Sequence, residues 1–288
     1  MILGTAALGM EYGISNRTGE PDQRQCYTLL RRAWENDLRH LDTAPVYGKA
    51  EQVIGDFIKE SGYDFTADTK YISSHPGAGQ MEKSLRESKT RLRCRINTFY
   101  LRSLQQYYDP GIREKLKSLK KEREIENAGI SVYDPPELEE ILADGEYIID
   151  TVQIPFHLFN ASKWINNGLL NRACESGIRI YARSIYLQGL MFCDPYSKQA
   201  EKLNAGIYLS RIRQMAEASG LSVRDYAFSF AASVKEIQDI VIGFETMRQL
   251  EENIVLNNKR HRLEEKEIQD IIRFSEEIPD TVTDPRQW

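Results

Sequence analysis

The chain has 288 residues, 41% of them hydrophobic, with 38 basic against 43 acidic side chains and a net charge of −5. That mixed, mildly acidic balance gives no footing for nucleic acid or an anionic membrane, and no apolar run approaches the ~20 residues of a membrane-spanning helix. The four cysteines (Cys26, Cys94, Cys174, Cys193) stand far apart with no CxxC pair, and the four histidines are scattered. This argues for reduced thiols in a cytoplasmic protein and against a zinc site. The opening MILGTAALGM lacks a basic region and reads as a strand rather than a signal peptide.

In chain order, short apolar runs predict strands at 1–6, 40–43, 68–73, 97–102, 127–131, 150–155, 178–183 and 239–243. Segments with helical spacing lie between them. QCYTLLRRAWENDL sets Cys26, Leu29, Leu30, Ala33 and Trp34 on one face. SLRESKTRLR, IREKLKSLKKERE and YLSRIRQMAEASG repeat the pattern. DPPELEE opens a helix with prolines, and ADG and ASG close helices. LSVRDYAFSFAAS is a more apolar helix, packed on the sheet. Eight strands alternating with helices predict an α/β fold, a (β/α)8 TIM barrel formed as a single domain over residues 1–288. A doubly wound open sheet is the rival, but no GxGxxG turn follows the first strand. The last stretch, RFSEEIPDTVTDPRQW, is expected to wrap over one end of the barrel.

In such barrels chemistry sits at the C-terminal ends of the strands. LDTAPVYGKAEQVIG places Asp42 at the end of the second strand and Tyr47 in the loop behind it; Lys70 lies in the third strand and Arg102 ends the fourth. Each alone reads as an ordinary rim residue, but the four together at neighbouring strand ends do not. These residues, with LGTAALGMEYGISN, DTK, AGISVY, VQIPFHLFN, ARSIYLQGL and IVIGFETMRQLEENI in that order, resemble the aldo-keto reductases over nearly the whole chain.

The resemblance implies hydride transfer between a nicotinamide cofactor, NAD(P)H, and a carbonyl or alcohol. Tyr47 is then the proton donor. A free phenol titrates near pH ~10, so a neighbouring cation must favour its phenolate. Lys70 would be that cation, and Asp42 would pair with it so that a buried ammonium is not left alone. The family's pattern D-x-Y-x-x-H ends the fourth strand with a histidine. Here it reads NTFYLR, with Asn97 for the aspartate and Arg102 for the histidine. An arginine keeps its charge and its proton at any working pH, yet it can hold an oxygen by a charge-assisted hydrogen bond. Three readings stand open: Arg102 orients an acidic substrate, it replaces the histidine as oxyanion donor, or the protein is a cofactor-binding pseudoenzyme or regulatory subunit with little turnover. Potassium-channel β-subunits of the family also lack the histidine. His75 reads as a solvent-facing loop residue, His40 as a strand residue, and His157 as a candidate for the substrate pocket.

On the cofactor side the resemblance assigns Gly4 and Thr5 on the first strand. Ser131 and Gln153 would bond the nicotinamide carboxamide, and Arg183 would occupy the place of a ring stacked on it. Ser184, Tyr186, Leu187 and Gln188 would surround the pyrophosphate, and Tyr181 reads as core. Gly243, Phe244, Glu245 and Thr246 lead into a helix N-terminus suited to phosphate, and Gln249, Glu252 and Asn253 match adenine-contacting positions. Glu245 stands where a cation would hold a 2′-phosphate, so NADH is favoured over NADPH. A small polar, sugar-derived or acidic substrate is expected.

Overall fold

A computed structural model describes residues 1–259 and 261–288. Eight parallel strands follow one another around a closed barrel: β1 (Ile2–Gly4), β2 (His40–Asp42), β3 (Thr66–Lys70), β4 (Arg95–Leu101), β5 (Asn127–Ser131), β6 (Thr151–Pro155), β7 (Arg179–Arg183) and β8 (Ile237–Gly243), with β8 pairing β1. All eight expected strands are present. β3 starts and stops earlier than the apolar run suggests, so Lys70 is its last residue.

Alternation along each strand sorts the side chains. Leu41, Ala67, Phe99, Leu101, Ala128, Ile130, Val152 and Ile154 point outward into one core shared with the helices. The barrel interior is mostly polar. Its apolar part is the separate cluster of Ile2, Tyr181 and Val241. A bulge interrupts the β3–β4 pairing, where Ala67 and Thr69 face Ile96 and Phe99. The extra β4 residue restores the phase so that Tyr100 turns inward opposite Lys70. Gly129 makes room for it, since a Cβ there would lie 2.6 Å from the Tyr100 ring.

The helices begin and end where their sequences direct. Gln23–Glu35 opens on a reciprocal capping box between Asp22 and Gln25, and buries Cys26, Leu29, Leu30 and Ala33. Trp34 does not join that face. It lies at its edge, stacked on Tyr63, with its indole N–H donating to Asp64. Pro135–Ala143 starts on its two prolines and an Asp134–Glu137 box. Three short helices lie in the connections at Leu104–Tyr108, Ala161–Ile165 and Lys198–Lys202. The first and last of these have a serine N-cap, Ser103 and Ser197. The C-terminal stretch does cross the barrel end, bringing Thr283, Asp284, Pro285 and Arg286 to the mouth of the central cleft.

Candidate active site

The C-terminal ends of the strands open into a cleft of about 410 Å³, in the range of small-molecule sites. Asp42, Tyr47, Lys70 and Arg102 all line it. Lys70 is 2% exposed, which makes its partners decisive. Its Nζ donates to both Asp42 carboxylate oxygens at 2.8 and 2.7 Å and to the Thr43 carbonyl at 2.9 Å, using all three of its protons. Burial works against the ammonium, but the Asp42 carboxylate, and then Tyr47, outweigh it and hold the Lys70 pKa above that of an ordinary lysine. The charged nitrogen lies 5.4 Å from the centre of the Tyr47 ring. Asp42 also accepts from Gln153 Nε2 at 2.6 Å.

Arg102 follows β4 directly. Its backbone N–H donates to Gln106 Oε1 at 2.7 Å, and its Nη2 donates to the Tyr133 hydroxyl at 2.8 Å. Asn97 lies at the other end of the same strand and plays no part in the cleft. There, Asp68 accepts from Asn97 at 2.8 Å and from His40 at 2.9 Å. His75 is exposed, its ring bonded to Ser74. His157 does line the cleft. Burial pushes its pKa down to about 3, so the ring is neutral at working pH.

The floor toward β1 and β8 is bare backbone. Ile2 and Val241 face into the barrel. Two residues further on, Gly4 and Gly243, which are register partners, face the same way with no side chain. Ser131, at the end of β5 across the barrel, also lines the cleft. Gln153 is fully buried under the wall; its Nε2 is committed to Asp42, and its Oε1 has no partner. The loop after β7 carries an unusual backbone. Ser184, Leu187 and Gln188 have φ of 60°, 49° and 51°. Such non-glycine residues in the left-handed region cluster at ligand-holding loops. Gly189, at φ 93°, cannot carry a Cβ because one would lie 2.1 Å from Ser15 Oγ. Ile14 N–H donates to the Gln188 carbonyl at 2.9 Å, so the loop after β1 closes over this side.

At the end of β8, Gly243, Phe244, Glu245 and Gln249 line the cleft. Gln249 Oε1 accepts from the Glu245 N–H at 2.8 Å, and its Nε2 donates to the Glu245 carboxylate at 2.9 Å, so this side chain caps the donors expected for phosphate. Thr246 caps Gln249 in turn, through its Oγ1. Glu252 and Asn253 do not reach the wall. They hold Arg224, which does: Glu252 pairs with it at 3.1 Å and Asn253 accepts from it at 3.5 Å. The sequence reading missed Arg224, which sits on an apolar helix, and also Tyr12, Tyr133 and Arg286. Tyr133 stands two residues beyond the end of β5, a position that could have flagged it. Tyr12 lines the cleft near Tyr47 and is partly exposed. Arg183 lines the cleft, but its guanidinium lies 4.6 Å from the Tyr133 ring centre, and its Nη2 donates to the Val132 carbonyl at 3.2 Å.

Residues 1–276 match the model of the aldo/keto reductase family. The chain therefore belongs to that family of oxidoreductases. It is 26% identical over 293 residues to the uncharacterized oxidoreductase YqkF of Bacillus subtilis, covering 92% of this chain and 93% of the relative. It is 28% identical over 147 residues to D-arabinose 1-dehydrogenase of Saccharomyces cerevisiae, covering 46% of this chain and 42% of that protein. The fold superposes on the holo form of aldo-keto reductase AKR11C1 from Bacillus halodurans with a TM-score of 0.76 at 17% identity, over 100% of this chain and 95% of the other.

Proposed function

We propose that this chain is a NAD(P)(H)-dependent oxidoreductase that moves a hydride between nicotinamide and a small polar carbonyl or alcohol. The observation that carries the reading is the buried Asp42–Lys70 pair under Tyr47, opening on one cleft with the bare Gly4–Gly243 floor. The residues fit the cofactor. The glycine floor leaves space for a flat ring. Gln153 Oε1 and Ser131 suit its carboxamide, and Gln153 Oε1 is an orphaned acceptor. Ser184, Tyr186, Leu187 and Gln188 form the strained loop beside it. Gly243 to Thr246 and Gln249, with Arg224 held by Glu252 and Asn253, suit the adenosine end. Glu245 carries a negative charge at that end, which favours NADH over NADPH.

A bound reduced nicotinamide supplies the hydride. Tyr47 gives its proton to the carbonyl oxygen. Lys70 stabilises the phenolate left behind, and Asp42 keeps Lys70 charged and in place. Arg102 stands where the family's histidine ends the fourth strand and offers a permanent positive charge to the developing oxyanion. The yeast relative's name points to sugars as one substrate type. The free cysteines suit the cytoplasm. The arginine also favours a second reading, a nucleotide-binding pseudoenzyme, which only turnover separates from the first.

Tryptophan fluorescence titrated with NADH and NADPH, followed by a carbonyl screen, tests both readings. Saturable nucleotide binding with turnover that Tyr47→Phe abolishes supports the enzyme. Binding without turnover favours the pseudoenzyme, and absence of binding overturns both.

A further inference from the structure

Charge is distributed unevenly around the cleft. Lys70, Lys163, Arg224 and Arg286 each face a carboxylate, from Asp42, Asp280, Glu252 and Asp284 respectively. Arg102 and Arg183 form no ion pair with any described residue. Both are half-buried, and each spends its Nη2 on a neutral acceptor, the Tyr133 hydroxyl or the Val132 carbonyl. The Nε of each is buried and has no partner. Both guanidiniums lie against one ring, 6.0 and 4.6 Å from the centre of Tyr133; a third, Arg286, lies on it at 4.3 Å but is paired with Asp134 and Asp284. Cations on one tyrosine gain some cation–π attraction, about 0.5–2 kcal/mol each. They also repel one another, and each loses water. Half-buried guanidiniums whose Nε is cut off from water ordinarily have a counter-ion or a ligand.

The direction of Arg183 sets it beside Arg102. It starts on β7, next to β8 and the expected phosphate site. Its side chain nevertheless reaches to Val132 and Tyr133 beyond β5, which lies across the closed barrel from β1 and β8. That brings it to the end of the cleft where Arg102 lies, at the same Tyr133 ring. His157 lines the same end as a neutral ring and adds no competing charge.

We infer that the substrate carries a carboxylate of its own, held between Arg102 and Arg183 over Tyr133, as in a short oxo acid or an acidic sugar. The inference rests on the oxidoreductase reading and assigns Arg183 to the substrate rather than to the nicotinamide ring. Guanidinium–carboxylate bonds are the strong, planar, charge-assisted kind. Arg102 thereby serves as both oxyanion neighbour and substrate anchor.

The test uses redox-inert oxalate, malonate and succinate, titrated against the full chain and followed by Trp164 fluorescence. Trp164 lines the cleft. NADH and NADPH are titrated separately in the same proteins. Saturable binding of at least one carboxylate is expected, weakened about tenfold or more in Arg102→Met and in Arg183→Met. Arg183→Lys, which keeps the charge, should recover part of the loss and so controls for folding. Nucleotide affinity should survive Arg183→Met. Turnover should prefer glyoxylate over glycolaldehyde, and that preference should collapse in Arg183→Met. Failure of all three carboxylates to bind the parent protein, equal binding by the variants, or a loss of nucleotide rather than carboxylate affinity in Arg183→Met overturns the inference. Absence of nucleotide binding by the parent protein overturns the oxidoreductase reading instead.

Discussion

β2 and β3 hold two acid–base pairs, one buried and one partly exposed at His40, and the pairs are crossed. β2 carries His40 and then Asp42; β3 carries Asp68 and then Lys70, and Asp42 and Asp68 are register partners. The upper pair, Asp42–Lys70, is wholly protein-bonded around the ammonium and opens on the cleft. The lower pair, Asp68–His40, closes the barrel floor with Asn97 and leaves Asp68 Oδ2 without a partner. The two differ by one pleat and by which end of the barrel they face. In this fold the C-terminal end carries chemistry and the N-terminal end carries stability. On the proposed reading, nearly the same ionic bond would have two jobs, set by position alone.

The comparison breaks hardest at Lys70. Lys70→Met leaves Asp42 buried without its cation, so a loss of about 3–5 kcal/mol is expected together with loss of turnover. Tyr47→Phe should lose turnover by about 10²–10⁴ while keeping its unfolding midpoint. Denaturant unfolding beside steady-state rates separates the two. If Lys70→Met kept its activity, Lys70 would be a structural residue like those below it.

The lower pair should show the reverse pattern. Asp68→Asn is expected to cost about 1–3 kcal/mol and leave turnover in place. Its pH signature follows from His40. Burial opposes the imidazolium, but the Asp68 hydrogen bond and charge outweigh it and raise the His40 pKa above 6.5. A raised folded pKa contributes stability that is fully present below the unfolded value and lost as pH rises through the folded one. Unfolding midpoints of the parent protein and His40→Asn should therefore lie further apart at pH 5 than at pH 8.

His157 sharpens the contrast with the opposite sign. Its pKa falls from 6.5 to about 3 because burial excludes the charged ring. The unfolded chain then binds the extra proton between those values, so stability is complete above pH 6.5 and is lost on acidification, by about 1 kcal/mol per pH unit. His157→Asn should flatten that limb. An unchanged acid limb would mean that His157 finds a partner that accepts its charge.

Much of this was legible in the chain. The eight strands and their order follow from apolar runs punctuated by helix caps. Asp42, Lys70 and Arg102 follow because a strand's end fixes where its last side chains point, whereas Tyr47, in the loop behind β2, follows only from the resemblance to the family. Legibility fails wherever position depends on a loop. Nothing in MEYG announces that Tyr12 crosses toward Tyr47, and nothing near Trp288 announces that Arg286 lies on Tyr133 at 4.3 Å and pairs with Asp134. Nor can spacing say whether a polar helical residue faces the ligand or a neighbour. Glu252 and Asn253 bond Arg224 instead of reaching the cleft.

The smallest expected effect lies at the other end of the cleft, at Glu245. Its carboxylate accepts from Gln249, whose side chain also takes the Glu245 N–H. Any phosphate approaching this turn meets a capped donor and a negative charge. The only cation near it in sequence on that helix, Arg248, is exposed and turned toward Glu252 at 3.8 Å. Glu245→Gln removes the charge but keeps a hydrogen-bonding side chain, so NADPH affinity should rise while NADH affinity stays near its parent value. A half-exposed charge acting across a few ångströms is worth about 0.3–1 kcal/mol, which is a shift of roughly two- to fivefold in the NADH-to-NADPH ratio. The shift should shrink as salt rises, because the effect is one of screened repulsion. A salt-independent change of the same size would instead locate the preference in the geometry of the Gln249 cap. Glu245 would then act by holding that side chain rather than by its charge.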